Sequence, residues 1–188
     1  KNAQKINSVH MLYDADLSQD SCGVGFITRK DSKQTHELLL KSHEALCTIP
    51  HRGGMSAEGI GDGAGVNIDL SLKFFRKVTG NPNLVLGQFG VANFFFPEDH
   101  AHYDSEAQKM VEEHLKQFDL PVLKWREVPV DNSVLNAAAV KAQLPIKQLI
   151  FGRPASLQDA NHDAFEKYIQ QALLAIEADG FNRLELQG

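Results

Sequence analysis

The sequence predicts a layered domain that contains both helices and strands, of the α/β or α+β class. Helix-like and strand-like segments alternate along the 188 residues, which is the pattern of such folds. Glycine-rich loops are concentrated in the first part of the chain. Apolar residues make up 43% of the chain and charged residues 23%, the balance of a globular domain with a substantial core.

Apolar residues at helical spacing predict four helices. They cover residues 35–47, 105–118, 136–144 and 162–178. Prolines stop the first and third of them, and Gly180 is expected to cap the last. The last helix is expected to bury Phe165, Ile169, Ala172, Leu173 and Ile176. Cys47 falls on the apolar side of the first helix, which favours a core thiol.

Short apolar runs between these helices predict the strands. They cover residues 22–28, 66–70, 84–96, 122–130 and 146–151. The run 84–96, bounded by prolines, is long enough for one or two buried strands. A short apolar element is expected around 72–75, and six glycines make 51–65 a loop. Residues 1–21 are polar and are expected to form an irregular leader.

Charge and hydropathy exclude several classes of partner. The net charge is -5 and basic residues are not clustered, which argues against nucleic acid. No run approaches the roughly 20 apolar residues of a membrane helix, and the first residues lack the apolar core of a secretion signal. Cys22 and Cys47 are too few for a disulfide scaffold. We therefore expect no membrane partner and a cytoplasmic location.

Three short motifs carry residues suited to chemistry. They are Asp-Ser-Cys-Gly-Val-Gly-Phe at 20–26, His-Arg-Gly-Gly at 51–54 and Gly-Asp-Gly-Ala-Gly at 61–65. Cys22, uncrowded beside a glycine, suits a nucleophile, although a buried core thiol is the alternative. Arg52 could clamp a carboxylate in bidentate fashion, or be an ordinary surface arginine. The third motif lacks the lysine and hydroxyl of a phosphate-binding loop.

The remaining candidates favour structural interpretations. His51 could act as a base for Cys22 in an unrelated Cys-His hydrolase, but no third orienting group is evident. His100 and His102, with neighbouring aspartates, are too loosely spaced for a metal site, so a surface loop is favoured. Trp125 is expected in the core or at an interface.

In order and spacing, the three motifs resemble the N-terminal class II glutamine amidotransferase domain of the glutamate synthase large subunit. Segments 74–75, 124–129 and 177–180 are also similar, so the resemblance covers about 12–182. It implies an α+β N-terminal-nucleophile fold, an αββα sandwich of which this chain would be the N-terminal portion. It also implies a glutaminase with Cys22 as nucleophile and Arg52 near the glutamine pocket. The full-length family enzyme carries FMN and an iron-sulfur cluster, neither of which is expected in this chain.

The resemblance further implies that the nucleophilic cysteine is the first residue of the mature chain. Its α-amino group, with an ordinary pKa near ~8, then accepts the thiol proton, which a peptide nitrogen cannot do. Residues 1–21 are therefore expected to be a propeptide, 22–182 the N-terminal part of the domain and 183–188 an unfamiliar tail. No counterpart of the family's oxyanion-hole Asn-Gly pair follows Gly180. The missing pair leads us to expect a truncated form. Oxyanion donors are worth on the order of 10²–10³ in rate, and residues 1–21 are still attached, so we expect this truncated and unprocessed form to be inactive.

The expected partners follow from the same resemblance. They are glutamine, the remainder of the glutamate synthase polypeptide, and a second copy in a homo-oligomer held by an uncovered apolar patch. A non-catalytic binding or assembly module on the same fold is the alternative function.

Overall fold

The computed structural model describes residues 24–48, 63–95 and 101–185. The chain divides into two compact units, Lys1–Asp69 and Leu70–Gly188, and each is described by itself. The described residues form helices and an antiparallel sheet, which confirms the mixed class in its α+β form. No helix within these ranges is both long and apolar enough to span a bilayer.

The first unit contains one helix in its described part, α1 (His36–Cys47). The Thr35 side chain accepts a hydrogen bond from the backbone N–H of Leu38 at 3.3 Å, an N-cap that satisfies one of the first free donors. The helix predicted at 35–47 is thus confirmed. None of its residues is buried, and Cys47 is an exposed free thiol. The prediction of a core thiol at Cys47 is therefore wrong.

Two predicted strands next to the motifs are also wrong where the structure describes them. Residues 24–28 and 66–70 are assigned to no strand. Val24 is 99% exposed and Phe26 is 91% exposed. A short apolar run satisfies the side-chain pattern of a buried strand, but a strand also needs a partner for its backbone groups. No described strand pairs with either segment.

The second unit is built on a sheet of three described strands, β1 (Phe89–Phe95), β2 (Val122–Glu127) and β3 (Ile146–Gly152). Their order is β1-β3-β2, and both pairings are antiparallel. The central strand, β3, buries both faces: Leu149, Ile150 and Phe151 are each at most 4% exposed. That explains its unbroken apolar run, which is typical of a strand covered on both sides.

The strands β1 and β2 are shorter than the sequence predicts. The run 84–96 yields one strand that begins only at Phe89, because 84–88 turn, with Gly87 at a φ of 80°. The strand predicted at 122–130 ends at Glu127. An irregularity in the pairing with β3 lies between Val122 and Lys124.

Four helices and two short 3-10 turns complete the described part of this unit. They are α2 (Leu72–Thr79), α3 (Ala101–Gln117), α4 (Ala137–Ala142) and α5 (His162–Glu185), with turns at Asn132–Val134 and Ala155–Leu157. The three helices predicted beyond residue 100 are thus confirmed, although α3 begins four residues earlier than expected. Gly180 lies inside α5, so its prediction as a C-cap is wrong. A Cβ at Gly180 would lie 3.4 Å from Cε of Met110, so the glycine serves the close approach of α5 to α3.

The core of this unit has two clusters, one on each face of the sheet. The larger joins the sheet to α3 and α5 through Met110, Val111, Leu115, Leu120, Leu149, Phe151, Phe165, Ala172 and Ile176. The smaller joins it to α2 through Phe75, Leu84, Phe89 and Ile150. Fully burying one such side chain contributes about 1.5–3 kcal/mol. Of the predicted inward residues of α5, Leu173 is 39% exposed, so that one assignment is wrong.

Candidate functional site

The two residues predicted to carry the chemistry, Cys22 and Arg52, lie outside the described residues. So do His51 and His100, and the same holds for the side chain of His102. Their roles stay predictions. The structure does describe the end of the third motif, where Gly63 has a φ of 82°. Side chains rarely adopt that backbone conformation, which is a physical reason for glycine at this position.

A row of polar side chains crosses the three described strands on the face toward α2. Arg126 Nε donates a hydrogen bond to Gln148 Oε1 at 2.8 Å. Gln148 Nε2 in turn donates to Asn93 Oδ1 at 2.9 Å. The register explains the row, since Asn93 and Arg126 both lie directly opposite Gln148 on the central strand.

The guanidinium of Arg126 also lies against an aromatic ring of α2. Its Cζ is 5.2 Å from the centroid of Phe74, within the distance of a cation–π contact. Phe74 is 42% exposed and packs edge-on against the buried Phe75 at 5.1 Å. Arg126 therefore sits at the rim of the smaller core cluster.

A second arginine, Arg153, is buried directly after β3. Its guanidinium donates to the carbonyl oxygens of Leu157 at 2.7 Å, Gly87 at 3.0 Å, Ala160 at 2.5 Å and Asn161 at 3.0 Å. Its Cζ lies 5.0 Å from the centroid of the Phe165 ring. The side chain thus ties the turns before β1 and before α5 to the end of the central strand, which is a structural role.

A network of charged side chains joins α3 to α5. His114 Nε2 lies 2.8 Å from Asp179 Oδ2, so that nitrogen carries the proton that the carboxylate accepts. Arg183 donates to Asp179 at 2.9 Å and to Glu113 at 3.4 Å. The hydrogen bond from His114, with help from the positive charge of Arg183, holds the pKa of the Asp179 carboxyl below its usual value despite partial burial.

An open groove of about 750 Å³ lies beside the end of α3. It is lined by Glu112, Lys116, Asp119, Leu120, Pro121, Val122, Arg153, Ala155 and Ser156. Glu112 at its edge accepts a hydrogen bond from Trp125 Nε1 at 2.8 Å. Within the described ranges, no group of His, Cys, Asp or Glu side chains could hold a metal ion. The groove contains none of the residues predicted to carry catalysis.

Sequence reasoning missed Arg126 and Arg153 as organising residues. Arg126 falls in the segment 124–129, which the resemblance had singled out, and alternation along β2 could have placed it opposite Trp125. Arg153 had no comparable signal, because its partners are backbone carbonyl groups that any residue supplies.

Comparison with known proteins identifies the class. The family model described as "Glutamine amidotransferases class-II" matches residues 22–177, most of the chain, so the chain belongs to that family. It is similar to the glutamate synthase [NADH] of Saccharomyces cerevisiae, with 33% identity over 144 residues, 73% of this chain and 7% of that protein. The glutamate synthase [NADPH] large chain of Bacillus subtilis is 31% identical over 150 residues, 79% of this chain and 10% of that one.

A third relative extends the similarity to another electron-donor type. The ferredoxin-dependent glutamate synthase of Cyanidium caldarium is 37% identical over 137 residues, 70% of this chain and 9% of that protein. These matches make the chain a glutamine amidotransferase module of the glutamate synthase type. It spans at most a tenth of the length of these relatives.

Proposed function

We propose that residues 22–182 are part of a glutaminase module that hydrolyses glutamine to glutamate and ammonia through a thioester on Cys22. The observation that carries the proposal is the position of the family match, which begins at Cys22 itself. The relatives are glutamate synthases, and glutamate is one product of that hydrolysis. Glutamine is therefore the proposed substrate and the remainder of a glutamate synthase polypeptide the proposed partner.

The proposed reaction uses the α-amino group of Cys22 as the base. The amine takes the thiol proton, and the thiolate attacks the side-chain carbonyl carbon of glutamine. The resulting tetrahedral oxyanion collapses, the carbon–nitrogen bond breaks, and ammonia leaves with the proton that the amine returns. Water then attacks the thioester, which releases glutamate and restores the thiol. Arg52 binds the α-carboxylate of glutamine through its planar pair of N–H donors.

This mechanism requires a free amine on Cys22. In this proposal residues 22–182 belong to the catalytic domain, and residues 1–21 are removed before activity. The peptide nitrogen that joins Ser21 to Cys22 has no basic lone pair to take a proton. Uncleaved protein is therefore expected to be silent.

The fold that we propose is the N-terminal-nucleophile sandwich of two sheets between helical layers. The described sheet supports one outer half of this sandwich, because α3 and α5 cover one face, while the short helix α2 contacts the other. No proposed step involves FMN or an iron-sulfur cluster. The chain has two cysteines, fewer than the four thiolates that usually hold such a cluster, so a cluster does not fit this chain.

Covalent labelling with an electrophilic glutamine analogue tests the proposal. A site-specific protease sequence replaces residues 15–21, so that cleavage leaves Cys22 as the first residue. Intact-mass and peptide analysis should then find one adduct, on Cys22, that excess glutamine suppresses. The uncleaved chain should label far more slowly, because its cysteine lacks the adjacent amine.

Two matched variants serve as controls. Cys22→Ala should abolish the adduct. Cys47→Ala should leave it intact, although Cys47 is the exposed thiol that a nonspecific electrophile would modify. Modification of Cys47 alone, or labelling that glutamine does not suppress, would contradict the glutaminase and favour a non-catalytic module.

A further inference from the structure

We propose that Arg126 is the centre of a carboxylate-binding site on the α2 face of the sheet. The site lies wholly within the second unit and consists of Arg126, Gln148, Asn93 and Phe74. It does not depend on Cys22 or Arg52, so it goes beyond the proposed glutaminase chemistry.

The first reason is that the guanidinium is held in place before any ligand arrives. Its Nε donates to Gln148 Oε1 at 2.8 Å, and Gln148 is itself oriented by its 2.9 Å bond to Asn93. The ring of Phe74 supports the flat side of the guanidinium at 5.2 Å. Fixing a side chain in advance removes much of the entropy that binding would otherwise cost.

The second reason is the lack of a compensating negative charge. Arg29 pairs with Asp31 and Arg183 with Asp179, and Arg153 is surrounded by carbonyl oxygens. The recorded partners of Arg126 are a neutral amide and an aromatic ring. Within the described ranges no carboxylate forms an ion pair with it. A half-buried positive charge is costly unless an anion compensates it.

The third reason is the free edge of the guanidinium. The bond to Gln148 uses Nε and leaves the Nη edge for a ligand. The Arg126 side chain is only partly buried. Two parallel N–H groups match the two oxygens of a carboxylate. A single arginine with no lysine in the row fits one negative charge better than a phosphate dianion.

The carboxylate could come from a free small molecule or from an Asp or Glu side chain of the same polypeptide, and the experiment separates these sources. It uses the full 188-residue chain with Cys22→Ser, so that no probe is turned over. Arginine side chains are labelled with nitrogen-15, and their Nε–H resonances are followed by NMR. The probes are acetate, glutamate, acetamide and chloride.

The expected result is a saturable shift of the Arg126 Nε–H resonance with acetate and glutamate. Acetamide, which has the same shape without the charge, and chloride should cause no saturable shift. Arg126→Lys, assayed through the backbone amides of β2, should weaken acetate binding at least tenfold, because lysine keeps the charge and loses the planar fork. Gln148→Met retains the Arg126 side chain but removes the hydrogen bond that orients it, so this variant should also weaken acetate binding.

Arg76→Lys is the matched control, since Arg76 also lies at α2 and donates through Nε, to the Leu84 carbonyl at 2.9 Å. That variant should bind acetate as the parent does. If the Arg126 resonance shifts on acidification without any probe, over the range of a carboxyl pKa, the carboxylate belongs to the polypeptide.

The site is overturned if the Arg126 resonance shifts neither with acetate and glutamate nor on acidification. An equal shift with chloride also overturns it. Neither outcome affects the glutaminase proposal, which rests on labelling of Cys22. Conversely, a failure of that labelling leaves this test unchanged.

Discussion

Replacing Arg153 with methionine should destabilise the second unit more than any other single arginine change in its described part. Arg153→Met keeps an unbranched stem of similar length but removes every donor. Four hydrogen bonds to carbonyl oxygens are lost, together with the contact to Phe165. Arg153 is only 7% exposed, so bulk water cannot replace the lost donors at these carbonyl oxygens.

The magnitude follows from these contacts. Hydrogen bonds to a charged group contribute about 1.5–3 kcal/mol each, so four of them set an upper bound of roughly 6–12 kcal/mol. The true loss is smaller, because such effects are not additive and Asn161 is exposed, so water reaches its carbonyl. We expect a decrease of about 3–5 kcal/mol in the free energy of unfolding, in line with breaking other buried charged networks.

Urea unfolding monitored by Trp125 fluorescence measures this loss. With a slope of about 2 kcal/mol per molar, the midpoint should fall by about 2 M at unchanged slope. Arg153→Lys keeps the charge and should lose about half as much, which preserves the test if the methionine variant does not fold. Arg183→Met removes exposed contacts and should cost less than about 1 kcal/mol. A methionine variant within about 1 kcal/mol of the parent would refute the reasoning.

Two further predictions concern the helix interface and the sheet. The pKa of Asp179 is lowered in the folded protein. Its interaction with His114 therefore stabilises the fold fully at pH values above the unfolded carboxyl pKa of about 3.9. This stabilisation is lost as the pH falls from there through the lower folded pKa. The stability difference between the parent and Asp179→Asn, from urea midpoints, should therefore shrink as the pH falls below about 4; a difference that stays unchanged through that range contradicts the pairing. Gly90→Ala would place a Cβ 2.7 Å from Cε2 of Phe151. Such overpacking should lower the free energy of unfolding by about 1–3 kcal/mol. The thermal midpoint of Gly90→Ala should therefore fall. A Cβ at Gly65 would have no atom within 4 Å, so Gly65→Ala should not lower the midpoint by overpacking.

Periodicity in the sequence located most of the regular elements, because burial on one face leaves a readable pattern. The helices α1, α3 and α5 and the central strand β3 were all predicted, the strand within one residue. The wrong predictions have a common cause: the residues that determine the structure at those positions lie far away in the sequence. Gly180 resembled a helix end, but Met110 on α3 gives the glycine its packing role.

The candidate site divides in the same way. Cys22 and Arg52 could be nominated because their motifs are local, and the family match starts at the first of them. The row from Arg126 to Asn93 could not be predicted, since it depends on which strands become neighbours. Nor could the surroundings of Arg153, because the backbone carbonyl groups that bind it leave no trace in residue type.

The position of β3 in the sheet has a consequence for synthesis of the protein. The first and second strands pair with β3 and not with each other, and β3 is the last of the three to emerge from the ribosome. Between the end of β1 at Phe95 and the start of β3 at Ile146 lie 50 residues, which take roughly 3 to 10 seconds to translate. Because β2 is made within that interval, the nascent chain carries first one and then two strand segments without their common partner, a period in which a holding chaperone would be most useful.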